Sequence, residues 1–201
     1  MAGTVLLTGF EPFEGESLNP SWEAVSRLEG TEIRGHRVEV EQLPVVFGRA
    51  LEVLREAIRR TNPALVLCVG QAKGLAGLAL ERVALNLEDA RITDNAGRQP
   101  VDQPVVPDGP VAYFATLPLR AILARLHEAG IPAQLSLSAG AYVCNHVFYG
   151  LRHLAEATHL PCGFIHIPLL PAQAVRHPGQ PSLALDQVVQ GLRLAVEASL
   201  P

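Results

Sequence analysis

The feature that most constrains this chain is an alternation. Short apolar runs of strand length are separated by longer segments whose apolar residues recur at helical spacing, which is the pattern of a sheet covered by helices on its faces. Residues 4–8 read as a first strand. A turn-rich loop follows, and Asn19-Pro20-Ser21 supplies a cap and a first-turn proline ahead of Trp22, Val25 and Leu28. Residues 38–43 alternate as a second strand, after which Phe47, Leu51, Leu54 and Ile58 share one helical face. Residues 64–70 form an unbroken apolar run, as expected of a parallel strand buried on both faces. Residues 79–86 alternate again. Residues 94–110 contain four prolines, two glycines and four Asp or Asn, the composition of a long surface loop. A helix over about 119–129, a strand around 133–138, a helix from 145 to about 157, a strand over 162–167 and a last helix from near Ser182 complete the series. With no internal repeat, the reading is α/β: a three-layer α/β/α sandwich with a mostly parallel, twisted central sheet.

The 201 residues suffice for one well-buried core, so residues 1–201 are expected to form a single domain. Charge narrows the partners. Lys and Arg number 16 against 20 Asp and Glu, with no basic cluster longer than Arg59-Arg60, which argues against nucleic acid. The first residues lack the basic flank and apolar length of a signal peptide, and no run approaches the roughly 20 apolar residues of a membrane span. A soluble, cytoplasmic protein is expected. Cys68, Cys144 and Cys162 are odd in number and widely spaced, which favours free thiols over a disulfide framework. No zinc-type spacing of Cys and His accompanies them, which leaves reactivity or packing as the reasons for these cysteines.

In open α/β sheets, ligands collect beyond the carboxyl ends of the strands. Four segments fall at such positions: residues 9–13, Gln71, residues 139–144 and His166. Parallel neighbouring strands would bring all four together. Cys144 follows a small-residue turn and precedes a helical face marked by Val147, Leu151 and Leu154. A helix N-terminus there favours the thiolate and offers free N–H groups to an oxyanion. A buried structural cysteine is the plainer alternative, and it suits Cys68 and Cys162 better, since both lie in or beside apolar strands.

A thiol nucleophile needs a base, and seven histidines compete for the role. His36, His127, His153, His159 and His177 lie in polar or turn-rich surroundings. His146 is two residues beyond Cys144, where helical side chains do not face each other. His166 alternates between Ile165 and Ile167 in a strand, so it is either the base or a core histidine bonded to backbone. Glu81, in an apolar strand face with Ala79, Val83 and Leu85, could fix its tautomer. It could equally pair with Arg82 or Arg91, and Asp94 is a rival acid. Phe10, Phe13 and Gln71 suggest a small apolar slot with one amide, or else a hydrophobic plug closing the sheet end.

Three blocks then resemble the type I pyroglutamyl peptidases. They are Thr8-Gly9-Phe10-Glu11-Pro12-Phe13 with Asn19-Pro20-Ser21; Glu81-Arg82-Val83-Ala84-Leu85-Asn86 with Asp89-Ala90-Arg91-Ile92 and Asp94-Asn95; and Ser138-Ala139-Gly140 and Tyr142-Val143-Cys144-Asn145 with Gly163-Phe164-Ile165-His166-Ile167-Pro168. The resemblance implies an α/β/α cysteine peptidase that removes an N-terminal pyroglutamyl residue, without a cofactor, using Cys144, His166 and Glu81. It places the substrate-binding residues at Phe10, Phe13, Gln71, Arg91, Tyr142 and Val143, and it implies a homo-oligomer, commonly a tetramer. Tyr142, Thr93 and Ala141 depart from the commonest residues of that pattern, and the added hydroxyl of Tyr142 needs a partner. Two other readings belong to other classes. One is a noncatalytic small-molecule binding module. The other is a nucleoside-phosphorylase-like enzyme, which would need a phosphate nest that the sequence does not offer.

Overall fold

The computed structural model describes residues 3–201; residues 1 and 2, part of the stretch read for a targeting signal, lie outside it. In chain order the elements are β1 (Thr4–Phe10), α1 (Pro20–Ser26), β2 (Glu32–Ile33), β3 (His36–Leu43), α2 (Arg49–Thr61), β4 (Leu65–Gln71), β5 (Leu78–Glu81), β6 (Val83–Leu85) and β7 (Ala112–Phe114), then α3 (Leu119–Glu128), β8 (Ala133–Ser136), α4 (Val143–Glu156), β9 (Cys162–Ile167), α5 (Pro171–Ala174) and α6 (Leu185–Ser199). Seven strands form one sheet in the order β2-β3-β1-β4-β9-β5-β8, and β6 pairs with β7 in a separate two-stranded ribbon.

Strand periodicity divides the core. In β4, Leu65, Leu67 and Val69 face one side and pack with Val25, Ile122, Leu126, Val188 and Leu192 of α1, α3 and α6. Val66 and Cys68 face the other side and pack with Leu54, Val147, Phe148 and Leu151 of α2 and α4. The sandwich therefore has three layers. Val147 and Leu151 are wholly buried, and each such side chain contributes about 2 kcal/mol by removal of its apolar surface from water. No helix among the described residues is long and apolar enough to cross a membrane.

The sheet is mostly parallel, but not where the sequence reading required it. β1, β3, β4 and β9 run parallel, whereas β5 is antiparallel to β9, and β8 runs parallel to β5. The carboxyl ends of β5 and β8 therefore do not converge with those of β1, β4 and β9. Connection length is the physical reason. Residues 72–77 are too few for a crossover between parallel strands, which takes a dozen or more residues, so the chain turns back. Residues 79–86 are also two strands rather than one, with the chain leaving the main sheet at Arg82.

Candidate active site

Register and side-chain parity build the site. His166 pairs with Gly70 on one side and with Ala79 on the other, while Phe164 pairs with Glu81. Because alternate residues share a face, Phe10, Gly70, His166 and Glu81 all lie on the face covered by α4. Glu81 is diagonal to His166 across the antiparallel pair, within reach of long side chains. Its Oε1 accepts the Nδ1–H of His166 at 2.8 Å, and both residues are buried. Asp94 is elsewhere: its Oδ2 accepts the Phe47 N–H and its Oδ1 accepts the N–H groups of Ala96 and Arg98, which makes it an organiser of its own loop.

Cys144 stands in the first turn of α4, which begins at Val143, two residues before the helix expected from the sequence. No acceptor among the described residues takes the N–H groups of Val143, Cys144 or Asn145, so this helix start can donate to an incoming anion. The thiol is half-buried over the sheet. A Cβ on Gly70 would lie 2.8 Å from its Sγ and 2.8 Å from Phe164 Cζ, so glycine is what leaves space for the sulfur. Asn145, wholly buried, ties the helix start to β6: it accepts the Leu85 N–H and donates to the carbonyls of Leu85 and Leu87, all at 2.9 Å.

His166 joins the two groups. Burial pulls its pKa down, but the influence of the nearby Cys144 sulfur, followed by the hydrogen bond and charge of Glu81, raises it to about 10. Its imidazolium form is therefore favoured at neutral pH. Cys68 shows the opposite case, its thiol pushed up to about 12 by burial, and the thiol of Cys162 is raised by burial as well.

Beside Cys144 is a small, partly open cavity of about 40 Å³, lined by Phe10, Phe13, Gln71, Tyr142 and Val143 together with Val45 and Asn19. Gln71 accepts a long hydrogen bond from Gln173 at 3.4 Å, and its own Nε2 has no partner although buried. A buried donor without an acceptor costs stability unless a ligand supplies one. The hydroxyl of Tyr142 does find a partner: it donates to the Thr93 carbonyl at 2.9 Å. Burial first, then the negative charges of Asp94 and Cys144, raise its pKa to about 12, so it remains a neutral donor.

Of the residues singled out in the sequence, the three expected to be catalytic and five of the six expected to bind substrate lie close together. Arg91 does not line the cavity; it is exposed and enters no ion pair among the described residues. Its segment nevertheless runs beside the site, since the Asp89 N–H donates to the Ala141 carbonyl. Val45, Asn19 and Gln173 escaped the sequence reading. The sequence marks Asn19 as a helix cap and as part of a family block but not as a binding residue, and a cap it is: its Oδ1 accepts the Ser21 N–H.

Comparison with known proteins agrees with this geometry. The family model described as pyroglutamyl peptidase matches residues 3–201. Pyrrolidone-carboxylate peptidase 1 of Ralstonia nicotianae is 56% identical over 199 residues, covering 98% of this chain and 93% of the relative. The pyrrolidone-carboxylate peptidase of Klebsiella pneumoniae is 56% identical over 201 residues, covering 100% and 94%. Among solved structures, pyroglutamyl peptidase I from Bacillus amyloliquefaciens superposes with a TM-score of 0.96 at 46% identity, covering 100% of this chain and 97% of that one. A variant of pyrrolidone carboxyl peptidase from Pyrococcus furiosus gives 0.95 at 41% identity, covering 98% and 97%. These matches leave neither the binding-module nor the phosphorylase reading standing: the chain belongs to the pyroglutamyl peptidase family.

Proposed function

We propose that residues 1–201 act as one catalytic domain in which Cys144, His166 and Glu81 carry out the family's reaction, hydrolysis of the amide bond after an N-terminal pyroglutamyl residue. The observation that carries the assignment of roles is the buried His166 between Glu81 and Cys144, next to an uncharged cavity with an unpartnered Gln71 amide. A pyroglutamyl ring is a neutral lactam. It suits apolar walls and a single amide donor better than a charged α-amine would.

The thiolate of Cys144 attacks the pyroglutamyl carbonyl carbon, and the resulting oxyanion faces the free N–H groups at the start of α4. As the C–N bond breaks, the His166 imidazolium gives its proton to the leaving amine. Neutral His166 then takes a proton from water, whose oxygen attacks the thioester. 5-Oxoproline leaves, and the thiolate and imidazolium are restored. Glu81 holds the ring and stabilises its positive charge throughout.

Three unpaired cysteines support a reducing, cytoplasmic location. Exposed Val111, Phe114 and Leu137 support assembly into a homo-oligomer, for which a tetramer is our expectation; sedimentation of the purified protein tests it. The reaction is tested with a fluorogenic pyroglutamyl amide beside the prolyl and glutamyl amides, before and after alkylation and in Cys144→Ala. Turnover of the pyroglutamyl compound alone, lost in both treatments, is expected. Activity retained by folded Cys144→Ala would move the nucleophile elsewhere.

A further inference from the structure

A second buried histidine–carboxylate pair lies on the same helix as the nucleophile and outside the reaction. His146 Nδ1 is 2.6 Å from Glu88 Oε1, and both side chains are almost wholly buried. The other ring nitrogen, Nε2, accepts the backbone N–H of Gly48 at 3.0 Å. An amide N–H can only donate, so Nε2 carries the lone pair and Nδ1 carries the hydrogen that Glu88 accepts. Both ring nitrogens are thereby used, by Glu88 and by Gly48.

What the ring holds is the cavity wall. Between β3 and α2 the chain has no strand partner to fix it, and three of its amides go to side chains from three other segments. Val45 N–H reaches Glu11 Oε1 at 3.0 Å, Phe47 N–H reaches Asp94 Oδ2 at 3.0 Å, and Gly48 N–H reaches His146. Val45 lines the cavity, and Phe47 sets its edge against the ring of Tyr142, which lines it from the other side. Phe47 also lies edge-on to His146, with ring centroids 5.6 Å apart. Of the three acceptors, His146 alone belongs to α4, so it couples the position of the wall to the position of the nucleophile. We propose that His146, oriented by Glu88, is a positioning residue for substrate binding: it sets the width of the lactam cavity by fixing residues 45–48 relative to Cys144. The inference rests on the peptidase reading of that cavity.

A merely structural pair would alter stability and leave the bound state of the remaining folded protein unchanged. A positioning pair alters KM. His146→Phe keeps the ring's bulk without an acceptor, and His146→Gln restores an acceptor near the place of Nε2. With the pyroglutamyl amide, His146→Phe is expected to raise KM about tenfold, the equivalent of one lost hydrogen bond, with kcat within about threefold of wild type. His146→Gln should recover most of that loss, and iodoacetamide should alkylate Cys144 at the wild-type rate in both. Should His146→Phe fail to fold, Glu88→Leu, which frees the ring to turn, is read the same way. An unmoved KM, a fall confined to kcat, or a His146→Gln no better than His146→Phe would overturn the proposal. Wild-type protein that leaves the pyroglutamyl amide intact would instead overturn the peptidase reading, and this one with it.

Discussion

At His166 the ring proton sets the pH range expected of the proposed reaction. The ring keeps its proton up to about pH 10 because the nearby Cys144 sulfur, and then Glu81, outweigh the cost of burying an imidazolium. Above that value the leaving amine has no acid, so kcat/KM is expected to fall as pH rises through about 10. Glu81→Gln removes one of these two influences and should move this alkaline limb to lower pH. It should also lower kcat/KM by roughly 10²- to 10⁴-fold, the range for losing the group that orients a catalytic imidazole. A pH–rate profile of both proteins checks the sign, and a limb that stays in place would show that Glu81 does not act on His166. Gly70 gives a steric counterpart. A methyl group there would meet Sγ and Phe164 at 2.8 Å, so Gly70→Ala should displace the thiol and cost about 1–3 kcal/mol through overpacking. A urea midpoint and a kcat measured together separate the two effects, and wild-type values for both would mean that the sulfur has more room than the geometry gives it.

At the scale of elements, the start of α4 must be held still while its first amides are left unbonded. Asn145 does this through β6, and Asn145→Ala would strand backbone groups of Leu85 and Leu87 and loosen the helix start from its support. A loss of about 2–3 kcal/mol is expected in urea unfolding, with kcat reduced in the protein that remains folded; unchanged stability would mean that water replaces the side chain freely. These same elements divide what the sequence discloses from what it does not. The strands β1, β4 and β9 are legible because their apolar runs are continuous and local. Glu81 beside His166 is legible only as a candidate with Asp94 as its rival, because the pairing joins residues far apart in the chain, and its register follows from the reversal at residues 72–77. That reversal was open to a length argument that periodicity alone does not make. Phe47 fits a helical face in sequence, yet it lies ahead of α2, because Gly48 takes a φ of 78° that interrupts the helix and sends the ring against Tyr142. Asp94 and Glu81 looked alike as acids in a polar stretch and a strand, and only the hydrogen bonds that each accepts separate them.

For the molecule as a whole, the three thiols form a graded probe of how the sandwich opens. Cys144 is partly exposed at the mouth of the cavity, whereas Cys68 and Cys162 are fully buried in β4 and β9, with thiols that burial holds in the protonated, unreactive form. Native protein should therefore take up one equivalent of iodoacetamide, at Cys144, with activity lost in parallel. The other two should react only through opening. Cys68 lies between β1 and β9 near the middle of the seven-stranded sheet, so it can be reached only when the sheet itself comes apart. Its labelling rate relative to that of the unfolded chain then measures the free energy of global unfolding without denaturant. The value should match the one extrapolated from urea. Labelling of Cys68 much faster than that match allows would mean that the sheet separates between β1 and β9 while the rest of the fold persists, and the parallel half of the sandwich would then be a unit that opens on its own.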